Sequence, residues 1–181
     1  MYKLEPGVGS MVLTDWSRDG RFLTFYAGDV LYALPLDGAE KAIELLRTEF
    51  SAIGGRFSPD GRFVAYLSNE SGKYELYVQP FPTSENPNGV APVPWKVSDE
   101  GAQGMIFWGA DGKEIDYLAA DRMVMSVDIE TTSGFQTLKP HPLFRIPNAE
   151  NSSPYGPLFN ASQLKNVTDS GERFVFALDI P

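Results

Sequence analysis

Short apolar runs separated by polar, glycine-rich stretches recur along the chain. Phe22-Leu23-Thr24-Phe25, Val30-Leu31-Tyr32-Ala33-Leu34, Phe63-Val64-Ala65-Tyr66-Leu67, Tyr74-Glu75-Leu76-Tyr77-Val78 and Met123-Val124-Met125-Ser126-Val127 carry the β-branched and aromatic residues of strands. Bounded by Gly, Asp and Ser, such runs predict an all-β chain. Alternation within them is imperfect. From Phe63 to Leu67 both faces of a strand would be apolar, which suits a sheet covered on both sides. One segment dissents, because Ala39 to Arg47 (AEKAIELLR) combines strong helix formers with an apolar stripe.

Four segments repeat one another. They are Trp16 to Phe25 (WSRDGRFLTF), Phe57 to Tyr66 (FSPDGRFVAY), Trp108 to Tyr117 (WGADGKEIDY) and, more loosely, Val167 to Phe176 (VTDSGERFVF). Their turn glycines are 41, 51 and 59 positions apart (20 to 61, 61 to 112, 112 to 171), near the roughly 40–50 residues of a four-stranded propeller blade. In Ser58-Pro59-Asp60-Gly61, Ser suits the first turn position, Pro presets φ at the second, and Gly accepts a left-handed fourth. Each motif is therefore a tight hairpin, and a further apolar run follows each of the first three. A fourth run comes next in the second and third units, Trp95-Lys96-Val97-Ser98 and Pro142-Leu143-Phe144-Arg145-Ile146. Counting back from the aligned aromatics sets Ile43 opposite Pro94, so a fourth strand is expected inside the helix-like segment as well.

Hairpin repeats whose sheets hide both faces read as a β-propeller. The blades fall at roughly 11–50, 51–101, 102–147 and 155–181, with a loop insertion over 147–165. That makes about three and a half blades, against roughly 4–8 in a closed ring. Either the chain is cut from a longer propeller, or two copies pair through their open edges.

The stretch FSPDGRFVAYLSNESGKYELYVQPFP, Phe57 to Pro82, resembles the WD-like repeats of the TolB-like propeller superfamily. It is especially similar to propellers C-terminal to bacterial transmembrane Ser/Thr protein kinases. Lys96 to Ile129 and the FRIP at Phe144 to Pro147 fit the same pattern. The resemblance implies a propeller of extracytoplasmic proteins, acting in recognition, in sensing or as a cap over another domain; the expected module is noncatalytic, with a protein, a peptide or a small molecule as partner. Two departures stand out: Gly109-Ala110 replaces Ser-Pro, and Ser170 replaces the turn Asp.

Composition narrows the chemistry. Of 181 residues 43% are hydrophobic, the net charge is −9, and Lys and Arg never cluster, so nucleic acid is not an expected partner. Without cysteine there is no disulfide frame, thiolate metal site or thiol nucleophile. No apolar run approaches the ~18 residues of a membrane span, and the first residues show no signal peptide.

No cofactor is expected. Gly7-Val8-Gly9-Ser10 lacks the third glycine of a dinucleotide loop. The repeated Asp19, Asp60 and Asp111 are expected to stabilise turns, not to catalyse. His141 is the only histidine, and no serine lies in a Gly-x-Ser-x-Gly elbow, so no nucleophilic site is expected. Trp16 and Trp108 are expected to pack blade against blade. The contact surface is placed on the long loop, at Asn148, Asn151 and Tyr155, because long loops on rigid scaffolds often bind. Two rival readings remain. One is the gating propeller of a prolyl-oligopeptidase-like serine peptidase; the other is a propeller hydrolase using scattered carboxylates such as Asp99, Glu100, Asp128 or Glu130.

Overall fold

The computed structural model describes residues 11–38, 41–82, 93–132 and 134–146, and every regular element among them is a strand. The first sheet holds β1 (Met11–Trp16), β2 (Phe22–Ala27), β3 (Val30–Pro35) and β4 (Ile43–Arg47), in that order. The second holds β5 (Ala52–Phe57), β6 (Phe63–Ser68), β7 (Glu75–Pro80) and β8 (Trp95–Lys96). In the third, β9 (Ala102–Trp108), β10 (Glu114–Ala119) and β11 (Met123–Glu130) are followed by two short strands. Both β12 (Gln136–Thr137) and β13 (His141–Arg145) pair with β11, at opposite ends of it. The expected fourth strand is thus split in this sheet. All pairings are antiparallel.

The helix-like segment is a strand where it is described. Ile43 to Arg47 pairs with Val30 to Ala33, so a tertiary edge overrides a propensity worth only tenths of a kcal/mol per residue.

The repeated motif folds the same way three times. Gly20, Gly61 and Gly112 take φ of +77°, +70° and +72°, the left-handed region open to glycine. Each accepts its place by donating its N–H to the carbonyl of Ser17, Ser58 or Gly109, at 2.8, 2.9 and 2.9 Å. In the first two turns the serine hydroxyl donates to Asp19 (2.7 Å) or Asp60 (2.6 Å) and accepts the N–H of Phe22 (2.9 Å) or Phe63 (3.0 Å). A Cβ at Gly109 would stand 2.6 Å from Cγ of Glu114, so a serine in the third turn would require that side chain to shift. The Glu114 side chain crowds the place where the other turns carry a serine.

The three sheets stack face on face as a fan. Their inner strands β1, β5 and β9 lie side by side in turn. Buried on both faces, β6 divides its residues between two cores. Val64 and Tyr66 join Leu31, Ala33 and Leu45 of the first sheet, whereas Ala65 and Leu67 join Ile106, Ile115 and Tyr117 of the third. This is the two-sided burial that the unbroken apolar run demanded. The architecture is all-β, built of propeller blades. The fourth motif copy, 167–176, and the blade drawn at 155–181 lie outside the described residues.

Candidate functional site

The surface loop at Asn148, Asn151 and Tyr155 lies outside the described residues, so the candidate chemistry is read from the three sheets. The repeated acids are absorbed by their turns. Asp19 accepts the N–H of Arg21 (3.0 Å), the Ser17 hydroxyl and Nε of Arg21 (2.6 Å), and these donors hold its carboxyl down at about 2. Asp60 makes the equivalent bonds to Ser58 and Arg62. Burial works against its charge, yet the Ser58 and Arg62 donors outweigh it and hold the carboxyl below the ordinary range. Asp111 accepts the N–H of Lys113 at 3.0 Å.

Three chemistry-bearing residues come together where none was expected. Strand register sets Asp116 opposite Ser126 and Ser126 opposite His141, so an acid, a hydroxyl and an imidazole form one row across β10, β11 and β13. Asp116 is 3% exposed, and its Oδ1 has no hydrogen-bond partner. Burial pushes its carboxyl up; the Ser126 hydroxyl, which bonds to it, and the charge of His141 pull it part of the way back. Neighbouring Glu114 is pushed up by burial and by the charges of Asp116, Asp111 and Asp128. A Ser-His-acid relay needs the imidazole between hydroxyl and carboxylate. Here the serine stands in the middle, spends its hydrogen on the acid, and is itself buried. The order is wrong for making a nucleophile. The row was not legible in the sequence, because only pairing brings positions 116, 126 and 141 into line.

A second unforeseen residue is Glu75, 0% exposed. Its Oε2 accepts the Ser98 hydroxyl at 2.5 Å and the N–H of Gly101 at 2.9 Å. Its Oε1 lies 3.4 and 3.5 Å from the ammonium groups of Lys73 and Lys96. The Ser98 hydroxyl also accepts the N–H of Leu76 at 2.7 Å. Glu75 therefore clasps the connection from the second sheet to the third, a structural task. Among the described residues no group of three or more His, Cys, Asp or Glu is arranged to hold a metal.

The equivalent aromatics Trp16, Phe57 and Trp108 meet different fates. Phe57 is 6% exposed and packs against Phe22 of the first sheet and Phe81. Trp108 packs into the core shared with the second sheet and donates its indole N–H to the carbonyl of Arg56 at 3.3 Å. Trp16, by contrast, is 62% exposed. Blade-to-blade packing thus accounts for Trp108 but not for Trp16. On the other side of β1, Asp15 accepts the N–H of Phe57 at 2.8 Å, tying the first sheet to the second.

No protein-family model matches the sequence, and no curated protein matches it. Solved structures do. A TolB-like protein of Agrobacterium tumefaciens is 21% identical with a TM-score of 0.51, over 75% of this chain and 46% of its own. TolB of Acinetobacter baumannii is 20% identical with a TM-score of 0.52, over 78% and 34%. A 6-phosphogluconolactonase-like protein of Bacteroides fragilis is 15% identical, again with a TM-score of 0.52, over 80% and 42%. Such identities speak to the fold alone: the chain has the architecture of part of a β-propeller and spans less than half the length of each of these structures. No helix among the described residues is long and apolar enough to cross a membrane.

Proposed function

We propose that this chain is a noncatalytic propeller module that binds a protein or peptide partner or a small molecule, within a larger bacterial signalling or envelope protein. The observation that carries this reading is the fate of its reactive side chains. Asp19 and Asp60 are bonded into turns, Glu75 into a clasp, and Ser126 to a buried acid in an order that cannot relay a proton. The likeness to TolB supports the propeller module, and the kinase-associated context and an extracytoplasmic location follow from the sequence resemblance. The blades that complete the ring come from a longer parent or from a second copy.

One experiment tests the noncatalytic part. The purified chain is screened against ester, peptide, lactone and phosphoester substrates beside Ser126→Ala and His141→Ala. No turnover above background is expected, whereas hydrolysis lost in both variants would overturn the reading. For the context, the parent reading frame decides: a kinase domain and one membrane span upstream favour sensing, and a Gly-x-Ser-x-Gly domain downstream favours the peptidase gate.

A further inference from the structure

Each described sheet meets the next through the same two positions of the repeat. Thr24 lies four residues after its turn glycine, and Gly55 lies six residues before the next one. The Thr24 hydroxyl donates to the carbonyl of Gly55 at 3.0 Å, and a Cβ on Gly55 would stand 3.3 Å from Cβ of Thr24. At the next junction the two positions are Ala65 and Ile106, buried together in one core. Carried one unit further, they fall on Asp116 and on Lys165, six residues before Gly171 of the fourth copy.

The third sheet differs from the other two on the face turned away from its described neighbour. There Glu114 lies opposite Asp128, and Asp116 lies opposite Ser126. The matching places hold Phe22, Pro35, Thr24 and Ala33 in the first sheet, and Phe63, Pro80, Ala65 and Val78 in the second. Uncharged residues have given way to three acids and a serine.

Asp116 is 3% exposed, and its Oδ1 has no hydrogen-bond partner among the described residues. The described charges that bear on Glu114 and Asp116 are other acids and His141, with no lysine or arginine among them. A buried carboxylate is costly unless a cation or a donor meets it. Lys165 offers the cation at the position the repeat sets against Asp116. Gly55 and Ile106 hold that position in the described units, so an acid and a lysine replace uncharged residues at facing places together.

We infer that the fourth copy, residues 165–176, covers this face of the third sheet, with residue 165 over Asp116 and the Lys165 ammonium among Glu114, Asp116 and Asp128. One cation among three acids leaves the patch acidic, so Asp116 keeps the sign that its burial gives. The inference takes the propeller module of the proposed function as its premise and is independent of the noncatalytic reading.

The chain has no cysteine, so disulfide trapping reads the junction directly. Residues whose Cβ atoms are about 3.5–4.5 Å apart can be bridged. Asp116→Cys with Lys165→Cys is oxidised beside Asp116→Cys with Leu164→Cys, a one-residue slip that turns the side chain to the other face of a strand. Mass spectrometry under non-reducing conditions should find an intrachain bond in the first pair and its loss in the second. A second measurement keeps the acids in place, comparing Lys165→Met, Glu114→Gln and the double variant by urea denaturation. Lys165→Met should lower the folding equilibrium constant about fivefold or more at low salt, and Glu114→Gln should recover part of that loss. High salt should shrink the difference. No intrachain bond in the first pair, or equal bonding in both, overturns the proposal. Bonds formed only between two chains assign the face to a second copy and overturn it equally. Where far-UV circular dichroism shows that the cysteine pair does not fold, the charge variants decide, and additive effects of Lys165→Met and Glu114→Gln overturn it. Turnover in the substrate screen would sink the noncatalytic reading without moving any of these outcomes.

Discussion

Asp19 and Asp116 are both aspartates on the same fold, yet acid should affect them in opposite directions. Three donors hold the Asp19 carboxyl at about 2, below its value in the unfolded chain. Its contribution is complete above the ordinary aspartate range and is lost as pH falls through that range toward 2. Asp60 follows the same sign. Replacing both by Ala should flatten the acid limb of a thermal-melt series run from pH 5 to pH 2. Asp116 runs the other way, since burial raises it; its charged form costs more as pH rises through the carboxylate range. Asp116→Asn should therefore favour stability more at pH 7 than in acid, because it removes the charge that burial disfavours. Paired urea titrations at pH 7 and pH 3.5 would show it. The role of Asp19 and Asp60 could be read from Ser-x-Asp-Gly alone, because the bonds are local. The state of Asp116 could not, because its neighbours come from strands distant in sequence.

Elements here are joined by a few close approaches. A Cβ on Gly55 of β5 would stand 2.9 Å from Cδ1 of Leu31 and 3.3 Å from Cβ of Thr24 in the first sheet. Gly55→Val should cost about 1–3 kcal/mol by overpacking, seen as a lower urea midpoint with an unchanged slope. At the other junction, Glu75→Ala would strand the Ser98 hydroxyl, the Gly101 N–H and two lysines. The lysines reach water, so a loss of about 2–3 kcal/mol is expected, below the full cost of breaking a buried pair. Glu75→Gln should recover part of it by keeping an oxygen acceptor. Sequence reasoning located β2, β3, β6 and β7 within two residues at either end and placed a strand at Ile43, but ended β11 three residues early. It did not see that the outer strand of the third unit is divided, since β12 and β13 pair with different halves of β11.

At the scale of the molecule the middle sheet holds both cores. Leu76 is fully buried between the second and third sheets, and Leu76→Ala should cost about 2–5 kcal/mol. Leu13→Ala on the exposed inner strand should cost less than about 0.5 kcal/mol in dilute solution. Chemical denaturation of the two variants at low concentration compares them directly.

The repeat of a local turn, and apolar runs that give a strand nowhere to be wet, were enough by themselves to specify hairpins stacked as blades. Both signals are short in range or periodic, and a linear chain displays them openly. Three matters waited for the folded arrangement. Of the equivalent tryptophans, Trp108 is held by the sheet before it while Trp16 is largely exposed. Asp116, Ser126 and His141 share a row only because of strand register. Glu44 and Arg47 share the face of the first sheet turned away from the second and bond to each other there. Each depends on which surfaces meet, and contact between distant segments leaves no periodic trace in the order of residues.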